Sequence, residues 1–310
     1  MKFAPSTADL PLPAKLAEGV VLLRDFAARR RLAPAAPGDV ADLDEYDELL
    51  RRHGGPPLAR ARVLEIGYGA RPFRLIAMRS LGVDALGVDA EVPILAGTRA
   101  EYRQAFRRNG LERVVKSFVR RSLFDRRERA AFRAELERRG VRERIDRKAF
   151  LVSDAAELEL ASGSLDLITS EDVFEHIERG SLERLTGRIA EWLAPGGLAL
   201  IRPNVFTGIT GGHLVEWYRH SFQLPGRGRR SEPWEHLRRS RWQPNTYLNE
   251  LTRADYRELF GRHFQILDEV VKLPDLGREH LTPDVAAELS AWGLDELLSN
   301  QVLFVLSPRS

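Results

Sequence analysis

The sequence predicts an α/β fold built on a mostly parallel sheet. Five short apolar segments that fit buried strands alternate with helical segments, and this alternation is typical of right-handed β-α-β crossovers. A chain of 310 residues with 43% hydrophobic side chains also has enough apolar material for a full core. Two further strand candidates near the C-terminus predict an antiparallel edge. The seven predicted strands span residues 62–66, 85–88, 150–153, 165–170, 198–202, 264–271 and 301–306.

Residues 1–60 are predicted to form a helical N-terminal extension. Apolar residues recur at helical spacing over residues 14–32, and the acidic stretch at 42–50 predicts a second helix. A run of glycine and proline at 54–57 then breaks the helical pattern. Strand-like apolar runs follow at once, so we place the main domain at 61–310.

Two long connections are predicted to carry insertions. About 60 residues separate the second and third strands, which is far more than a simple crossover needs. This connection predicts a basic helical insertion at about 92–148, and a lid-like segment at about 205–250 follows the fifth strand. Ligands of open α/β sheets bind beyond the carboxyl ends of the strands. Both segments leave the sheet at that edge, so both are placed to cover a site there.

The composition excludes several classes of protein. The chain has no cysteine, which excludes disulfides, thiolate nucleophiles and cysteine-based zinc sites. No apolar run approaches the roughly 20 residues that span a bilayer, and the first residues lack the pattern of a secretory signal. We therefore expect a soluble cytoplasmic protein without a membrane span.

The predicted insertion is strongly basic. Residues 99–148 contain 18 basic and 8 acidic residues, although the formal net charge of the whole chain is only +3. The arginines either form solvated helix faces or provide a surface for phosphate-bearing substrates. Exposed aromatic residues among them would favour a nucleic-acid platform. Four phenylalanines at mostly helical spacing are instead expected in the core, namely Phe106, Phe118, Phe124 and Phe132.

A glycine turn follows the first strand directly. The segment Glu65–Arg71 reads Glu-Ile-Gly-Tyr-Gly-Ala-Arg, and a helix is predicted to open at Pro72. Glycines allow the backbone to approach a ligand closely, and the amides at the helix start face that ligand. A dinucleotide fingerprint requires a third glycine where Pro72 stands, which makes a dehydrogenase the weakest interpretation. The acid before the turn favours a cationic ligand.

Polar residues also follow the next three strands. Asp89 ends the second strand, 22 residues after Gly67, where a carboxylate can bind two ribose hydroxyls. The third strand ends in Ser153-Asp154-Ala155, where a carboxylate can accept a hydrogen bond from an adenine amine. The fourth strand runs into a segment rich in acidic residues at 170–177, and a turn at 193–197 precedes the fifth strand.

In this order, the motifs resemble those of class I S-adenosylmethionine (SAM)-dependent methyltransferases over about residues 60–205. The resemblance implies SAM as cofactor and a Rossmann-like, seven-stranded, mostly parallel sheet whose last strand is antiparallel. The family's third glycine position is occupied by Arg71 here. By this resemblance Glu65, Gly67 and Gly69 hold the methionine part, Asp89 holds the ribose, Asp154 and Ala155 hold the adenine, and Ser170 lines the wall near the methyl group.

Two histidines are candidates for the chemistry. Methyl transfer is an in-line displacement, and a base is needed only when the acceptor must lose a proton. His176 lies where a helix is expected to begin after the fourth strand, and His213 lies after the fifth strand. We take both as candidate catalytic residues, with the alternative that each is an ordinary residue satisfied by hydrogen bonds.

The same region offers an alternative metal set. Asp172, Glu175 and His176 are spaced to share one face of a helix, and with His213 they provide ligands for a divalent ion. The pattern is similar to that of two metal-assisted groups, the polyprenyl-catechol O-methyltransferases and the small-RNA 3′-terminal 2′-O-methyltransferases. Glu-His-Ile at this place is also common in methyltransferases without a metal. The preferred interpretation is therefore that no metal is used.

The segment after the fifth strand permits two interpretations. Its aromatic residues Trp234, Trp242 and Tyr247 either pack as a lid or form an acceptor pocket. Arginines there can meet a phosphate. They are Arg227, Arg229, Arg230 and Arg238.

The resemblance therefore implies a SAM-dependent methyltransferase, and we expect O-methylation of a small molecule, sugar or glycan intermediate. The long insertions favour an enclosed acceptor site. One alternative is a metal-assisted RNA 2′-O-methyltransferase, which the basic insertion and the metal set support. Another is a non-catalytic SAM-binding scaffold. The expected partner is a small-molecule or glycan acceptor, with RNA as the alternative.

Overall fold

The computed structural model describes residues 38–123, 125–223, 231–239, 244 and 246–309. The helix predicted at 14–32 lies outside these residues. Helix α1, Gly38–Arg52, contains the acidic stretch at 42–50. Its buried side chains recur every three or four residues, which is the period of one helix face. They are Val40, Leu43, Tyr46, Leu49 and Leu50.

Seven strands form one sheet in the order β3-β2-β1-β4-β5-β7-β6. Strand β1 pairs in parallel with β2 and β4, and β2 pairs in parallel with β3. This architecture confirms the predicted Rossmann-like, seven-stranded fold. The strands are β1 Arg62–Ile66, β2 Asp84–Asp89, β3 Phe150–Val152, β4 Leu165–Glu171, β5 Leu193–Arg202, β6 Phe264–Val271 and β7 Val302–Pro308.

The register of the central strands brings their carboxyl ends to one level. Ile66 is the partner of Val88 on one side and of Ser170 on the other. Asp89 is the partner of Val152 in the next pair. The loops that leave β1, β2, β3 and β4 therefore start from the same edge of the sheet, which is where open α/β sheets bind ligands.

Eight further helices accompany α1 in the described residues. Helix α2 begins at Phe73, so Pro72 is the cap that precedes the helix and not its first residue. Helix α3 is broken at Gly110, whose φ of 82° and ψ of 175° are not helical. The helices are α2 Phe73–Ser80, α3 Arg99–Leu123, α4 Asp125–Arg138, α5 Arg179–Trp192, α6 Glu235–Arg238, α7 Arg253–Gly261, α8 Pro283–Glu288 and α9 Leu294–Leu297. None of these described helices is long and apolar enough to cross a bilayer.

The phenylalanines of the basic segment divide into two kinds. Phe132 is fully buried and stacks on Phe73, with 4.7 Å between ring centroids. Phe106 and Phe118 are 53% and 58% exposed, so the expectation that they are core residues is wrong. Phe124 lies outside the described residues. Helical spacing is the same for a covered and an uncovered apolar stripe, which is why the sequence pattern did not separate them.

The chain divides into two compact units. The glycine-turn unit comprises, of the described residues, 38–171, 184–200 and 306–309. The histidine unit comprises Asp172–Glu183 and the described part of Ile201–Val305. The predicted cofactor residues all belong to the glycine-turn unit, and the candidate catalytic histidines belong to the histidine unit.

Candidate functional site

The glycine turn has a backbone that requires glycine. Gly67 and Gly69 have φ values of 79° and 63°, in the left-handed region that other residues rarely adopt. The amide of Gly67 donates to the carbonyl of Val88 at 2.7 Å, which fixes the start of the turn. A Cβ atom at Gly69 would have nothing within 4 Å, so the backbone is open to a ligand at that point.

Asp89 ties the end of β2 to this turn. One carboxylate oxygen accepts from the amide of Gly69 at 2.8 Å and the other from the amide of Glu91 at 2.9 Å. Burial raises the pKa of Asp89, and the two amides partly offset that shift. Each carboxylate oxygen has two lone pairs, so both can still accept a bond from a ribose hydroxyl.

Glu65 belongs to a buried charge network. Its Oε1 accepts from the guanidinium of Arg74 at 3.0 Å, and that guanidinium also pairs with three other carboxylates. They are Asp39, Asp42 and Glu171. The guanidinium of Arg74 therefore contacts four carboxylates. Burial raises the pKa of Glu65 to about 7, against the lowering effect of Arg74.

The network fits a cationic ligand. The Oε2 atom of Glu65 is buried and has no hydrogen-bond partner among the described residues. An unpaired buried acceptor beside a surplus of carboxylates is suited to an ammonium group, such as that of SAM. The residues present at the glycine turn and at Asp89 thus fit a cofactor that carries an ammonium group and a ribose.

Tyr68 is a residue of this site that the sequence analysis missed. It stands between the two glycines and is 4% exposed. Its hydroxyl lies 3.2 Å from the carbonyl of Glu91 and 3.1 Å from that of Leu151. These two contacts hold the segment after β2 close to β3. The sequence shows that Tyr68 lies within the glycine motif, but it does not show its two carbonyl partners, which lie far along the chain at Glu91 and Leu151.

The remaining predicted cofactor residues also follow the strand ends. Asp154 caps a short turn, Ala155–Glu157, by accepting from the amide of Ala156 at 3.0 Å. Ser170 is buried, and its hydroxyl donates to the carbonyl of Ile66 at 3.0 Å. This bond joins the ends of β1 and β4. The roles of Asp154, Ala155 and Ser170 in holding adenine and lining the wall stay predictions.

The histidine unit brings together Glu175, His176 and His213. Each offers one ligand atom, and these atoms lie within 4.8 Å of one another. The Nε2 atoms of His176 and His213 are 4.0 and 3.9 Å from Oε1 of Glu175. The two imidazole rings meet edge to face, with 4.9 Å between centroids.

The local structure around this cluster differs from the predicted helix. Phe174–His176 is a single 3-10 turn, and α5 begins only at Arg179. Asp172 has a φ of 53°, which interrupts any helix at that point. Its carboxylate accepts from the side-chain amide of Gln301 at 2.6 Å, and it is not part of the three-residue cluster. The prediction that Asp172, Glu175 and His176 share one helix face is therefore wrong.

Two buried residues position the cluster. Asn249 donates through its side-chain amide to the carbonyls of Phe174 and Ile177, at 2.7 and 3.0 Å, and so holds the 3-10 turn. The Nε2 atom of His236 lies 2.8 Å from the carbonyl of Phe206. Its ring packs so closely on Gly212 that a Cβ there would lie 2.7 Å from it. Sequence analysis did not single out either residue.

Burial disfavours the charged form of each residue in the cluster. It lowers the pKa of His213 to about 3, with smaller contributions from His176 and His236, and it also lowers the pKa of His176. Burial and then the charge of Asp172 raise the pKa of Glu175 well above its usual range, although the nearby amide of Asn204 partly offsets this. That amide does not reach hydrogen-bond geometry, so neither carboxylate oxygen of Glu175 has a hydrogen-bond partner among the described residues.

The segment after β5 is largely a packed element. Trp234 is fully buried, and its indole nitrogen donates to the carbonyl of Thr207 at 3.1 Å. It packs with Trp217 and Leu289 in one hydrophobic cluster. Arg238 donates two hydrogen bonds to Glu288 at 2.7 Å, so its charge already has a partner. Tyr247 is half-buried, and the remaining residues proposed here lie outside the described residues; they are Trp242, Arg227, Arg229 and Arg230.

One comparison with known proteins identifies the family. A family model described as a methyltransferase domain matches residues 39–263. No curated protein matches the sequence. A solved SAM-dependent methyltransferase from Mesorhizobium loti is 17% identical, with 86% of this chain and 100% of that chain covered and a TM-score of 0.41. The PH0226 protein from Pyrococcus horikoshii is 14% identical, with 87% and 90% covered and a TM-score of 0.43.

A further solved structure is an N1-methyltransferase for 1,6-didemethyltoxoflavin from Burkholderia thailandensis. It is 17% identical, with 99% of this chain and 95% of that chain covered and a TM-score of 0.42. The family assignment rests on the family model, which spans most of the chain. The chain therefore belongs to the methyltransferase domain family, and the protein is a class I SAM-dependent methyltransferase.

Proposed function

We propose that the enzyme methylates a hydroxyl oxygen of a small molecule, sugar or glycan intermediate. The observation that carries this proposal is the buried, uncharged imidazole of His213. Its Nε2 atom has no hydrogen-bond partner in the described part of the chain, and its pKa of about 3 leaves it neutral at neutral pH. A hydroxyl acceptor must lose its proton during transfer. The lone pair on the unpaired Nε2 atom is placed to accept that proton, although the lowered pKa makes this imidazole a weaker base than one in water.

The cofactor residues are assigned on the same basis. When bound, SAM supplies an activated methyl group on its sulfonium sulfur. Glu65 accepts a hydrogen bond from the ammonium group, while Gly67 and Gly69 leave room for the methionine part. The side chain of Asp89 binds the ribose hydroxyls. These assignments are supported by the unpaired Oε2 of Glu65, the positive φ of both glycines and the free lone pairs of Asp89.

The histidine cluster then acts on the acceptor. His213 takes the hydroxyl proton of the acceptor, and its Nε2 atom lies 3.9 Å from Oε1 of Glu175. His176 lines the same cluster and is held by its bond to the carbonyl of Tyr247.

One observation favours RNA as a second candidate acceptor. Phe106 and Phe118 are exposed on α3, where the sequence carries many arginines. Exposed aromatics among basic residues are the arrangement on which single-stranded nucleic acids stack. The acceptor group is then a ribose 2′-hydroxyl, so both candidates share the same chemistry at the transferred methyl.

Transfer of a labelled methyl group from SAM into a lysate of the source organism tests the proposal. We expect label in the small-molecule or glycan fraction, in a form that resists mild alkali because it is an ether. Alkali-labile label would indicate esters and contradict O-methylation of a hydroxyl. Label in RNA, with steep salt dependence, would replace the first candidate by the second. His213→Asn serves as the matched inactive control, because asparagine tolerates the φ of 51° at this position.

A further inference from the structure

We propose that Glu175, His176 and His213 bind one divalent ion of borderline character, such as Fe²⁺, Co²⁺ or Zn²⁺. The ion binds the acceptor hydroxyl and activates it for transfer. The site goes beyond the proposed function, in which His213 acts as a base without a metal. It rests on that function only for the identity of the acceptor group, because the binding of the ion is measurable by itself.

The first argument is the arrangement of the donor atoms. The three ligand atoms lie within 4.8 Å of one another. An ion with bonds of 2.0–2.2 Å needs its ligand atoms about 3 to 4 Å apart. The observed separations of 3.9 and 4.0 Å to Oε1 of Glu175 are therefore reached by side-chain adjustments of less than about 1 Å.

The second argument is that the donor atoms are buried and unpaired. Both carboxylate oxygens of Glu175 and the Nε2 atom of His213 lack hydrogen-bond partners within the part of the chain that the structure describes. Glu175 is 3% exposed and His213 is 9% exposed. Native proteins rarely leave several buried polar atoms unpaired at one place, and a bound ion is one of the groups that satisfies them.

The third argument is the orientation of the histidines. The Nδ1 atom of His176 lies 2.9 Å from the carbonyl of Tyr247, so the ring donates there and keeps a lone pair on Nε2, the atom nearest to Glu175. This is the outer contact by which proteins fix the tautomer of a ligating histidine. His213 is held at a φ of 51° after Gly211 and Gly212, and close packing fixes both glycines. A strained backbone of this kind is typical of a functional site.

The donor set indicates the class of ion. Two imidazole nitrogens with one carboxylate are ligands of borderline transition ions, whereas Mg²⁺ and Ca²⁺ prefer oxygen ligands. Three protein ligands leave coordination positions open for the acceptor oxygen and water. A hydroxyl bound to the ion loses its proton to solvent more readily. The oxygen then attacks the methyl carbon as the carbon–sulfur bond breaks, and S-adenosylhomocysteine leaves with the electron pair on sulfur.

The test is a titration of untagged, chelator-treated full-length protein with Co²⁺, followed by calorimetry and by visible absorption. We expect one ion per chain. Glu175→Gln and His213→Asn should each weaken binding by about a hundredfold, because each removes one of three ligands. His263→Ala is the matched control, since His263 is exposed and outside the cluster, and its affinity for Co²⁺ should equal that of the unchanged protein.

Two measurements, cofactor affinity and Co²⁺ binding, distinguish loss of the metal site from loss of folding. The affinity of each variant for S-adenosylhomocysteine is measured first, and an unchanged value shows that the variant is folded. Absence of a one-to-one Co²⁺ complex, or undiminished binding in both folded variants, would overturn the metal site. Methyl transfer that persists without any ion would contradict activation by the ion and would support the proposed function. An ion bound at the cluster without transfer to any hydroxyl would support the metal site and contradict the proposed function.

Discussion

Two buried glutamates, Glu65 in the glycine-turn unit and Glu175 in the histidine unit, have opposite surroundings. Glu65 is 2% exposed and forms an ion pair with Arg74 at 3.0 Å. Glu175 is 3% exposed and has two imidazoles beside it, neither within hydrogen-bond distance. Burial raises the pKa of both carboxyl groups. The first carboxylate has a charged partner, while the second has no hydrogen-bond partner among the residues that the structure describes.

The largest effect is expected from the cation that supports Glu65. Arg74→Met leaves the acids around it without their shared partner, and uncompensated buried charge is strongly destabilising. We predict a loss of about 3 to 5 kcal/mol in the free energy of unfolding, measured by urea denaturation. Arg62→Met, which removes the more exposed pair with Asp166, is the control and should change little. Equal losses in both variants would show that the buried network around Arg74 contributes no more to the free energy of unfolding than the exposed pair.

The next effect separates the chemistry from cofactor binding. His213→Asn removes the base or ligand of the histidine cluster and leaves the glycine turn untouched. We predict that methyl transfer slows about a hundredfold or more, while affinity for SAM changes less than about twofold. Single-turnover rates and calorimetry give the two values. A parallel loss of both would mean that His213 supports the cofactor site.

Asp89→Ala tests the cofactor assignment in the glycine-turn unit. It removes the carboxylate that holds the amides of Gly69 and Glu91 and that we assign to the ribose. Affinity for SAM should fall about tenfold to a hundredfold, the range expected for lost charge-assisted hydrogen bonds. Asp84→Ala, at the exposed start of the same strand, should leave that affinity unchanged. Unaltered binding by Asp89→Ala would refute the ribose assignment.

The smallest effect is a gain in stability. Glu175→Gln replaces an unpaired buried carboxyl by an amide of similar shape, and we predict that the metal-free protein becomes more stable by about 1 kcal/mol. Glu65→Gln should instead lose stability, because it breaks the pair with Arg74. Thermal unfolding of both variants after chelation makes the comparison. A loss of stability in Glu175→Gln would show that Glu175 is structural.

Sequence patterns were sufficient to predict those parts of the fold and site that are formed by short, continuous segments. The order of strands, the glycine turn and Asp89 follow from short segments whose spacing reflects the backbone they need, and the seven-stranded sheet confirms this part of the prediction. The partner of Glu65 lay within nine residues, at Arg74, but was missed. A charged residue inside a helix pattern carries no signal that it points inward.

The histidine cluster was beyond local patterns. His213 follows His176 by 37 residues, and the segments of both are held by contacts to distant residues such as Asn249 and His236. The predicted helix over Asp172–His176 was wrong because the spacing of three and four residues does not distinguish a helix from a 3-10 turn after a left-handed residue. The exposure of Phe118 was missed for a similar reason: periodicity identifies an apolar face but does not say what covers it.

The most direct test is a crystal structure of the protein with S-adenosylhomocysteine and Co²⁺, with anomalous diffraction recorded near the cobalt edge. The account predicts an ammonium group against Glu65, a ribose on Asp89, and one anomalous peak about 2.2 Å from ligand atoms of Glu175, His176 and His213. A cofactor bound away from the glycine turn, or no peak at the three ligand atoms in crystals soaked with the ion, would contradict it.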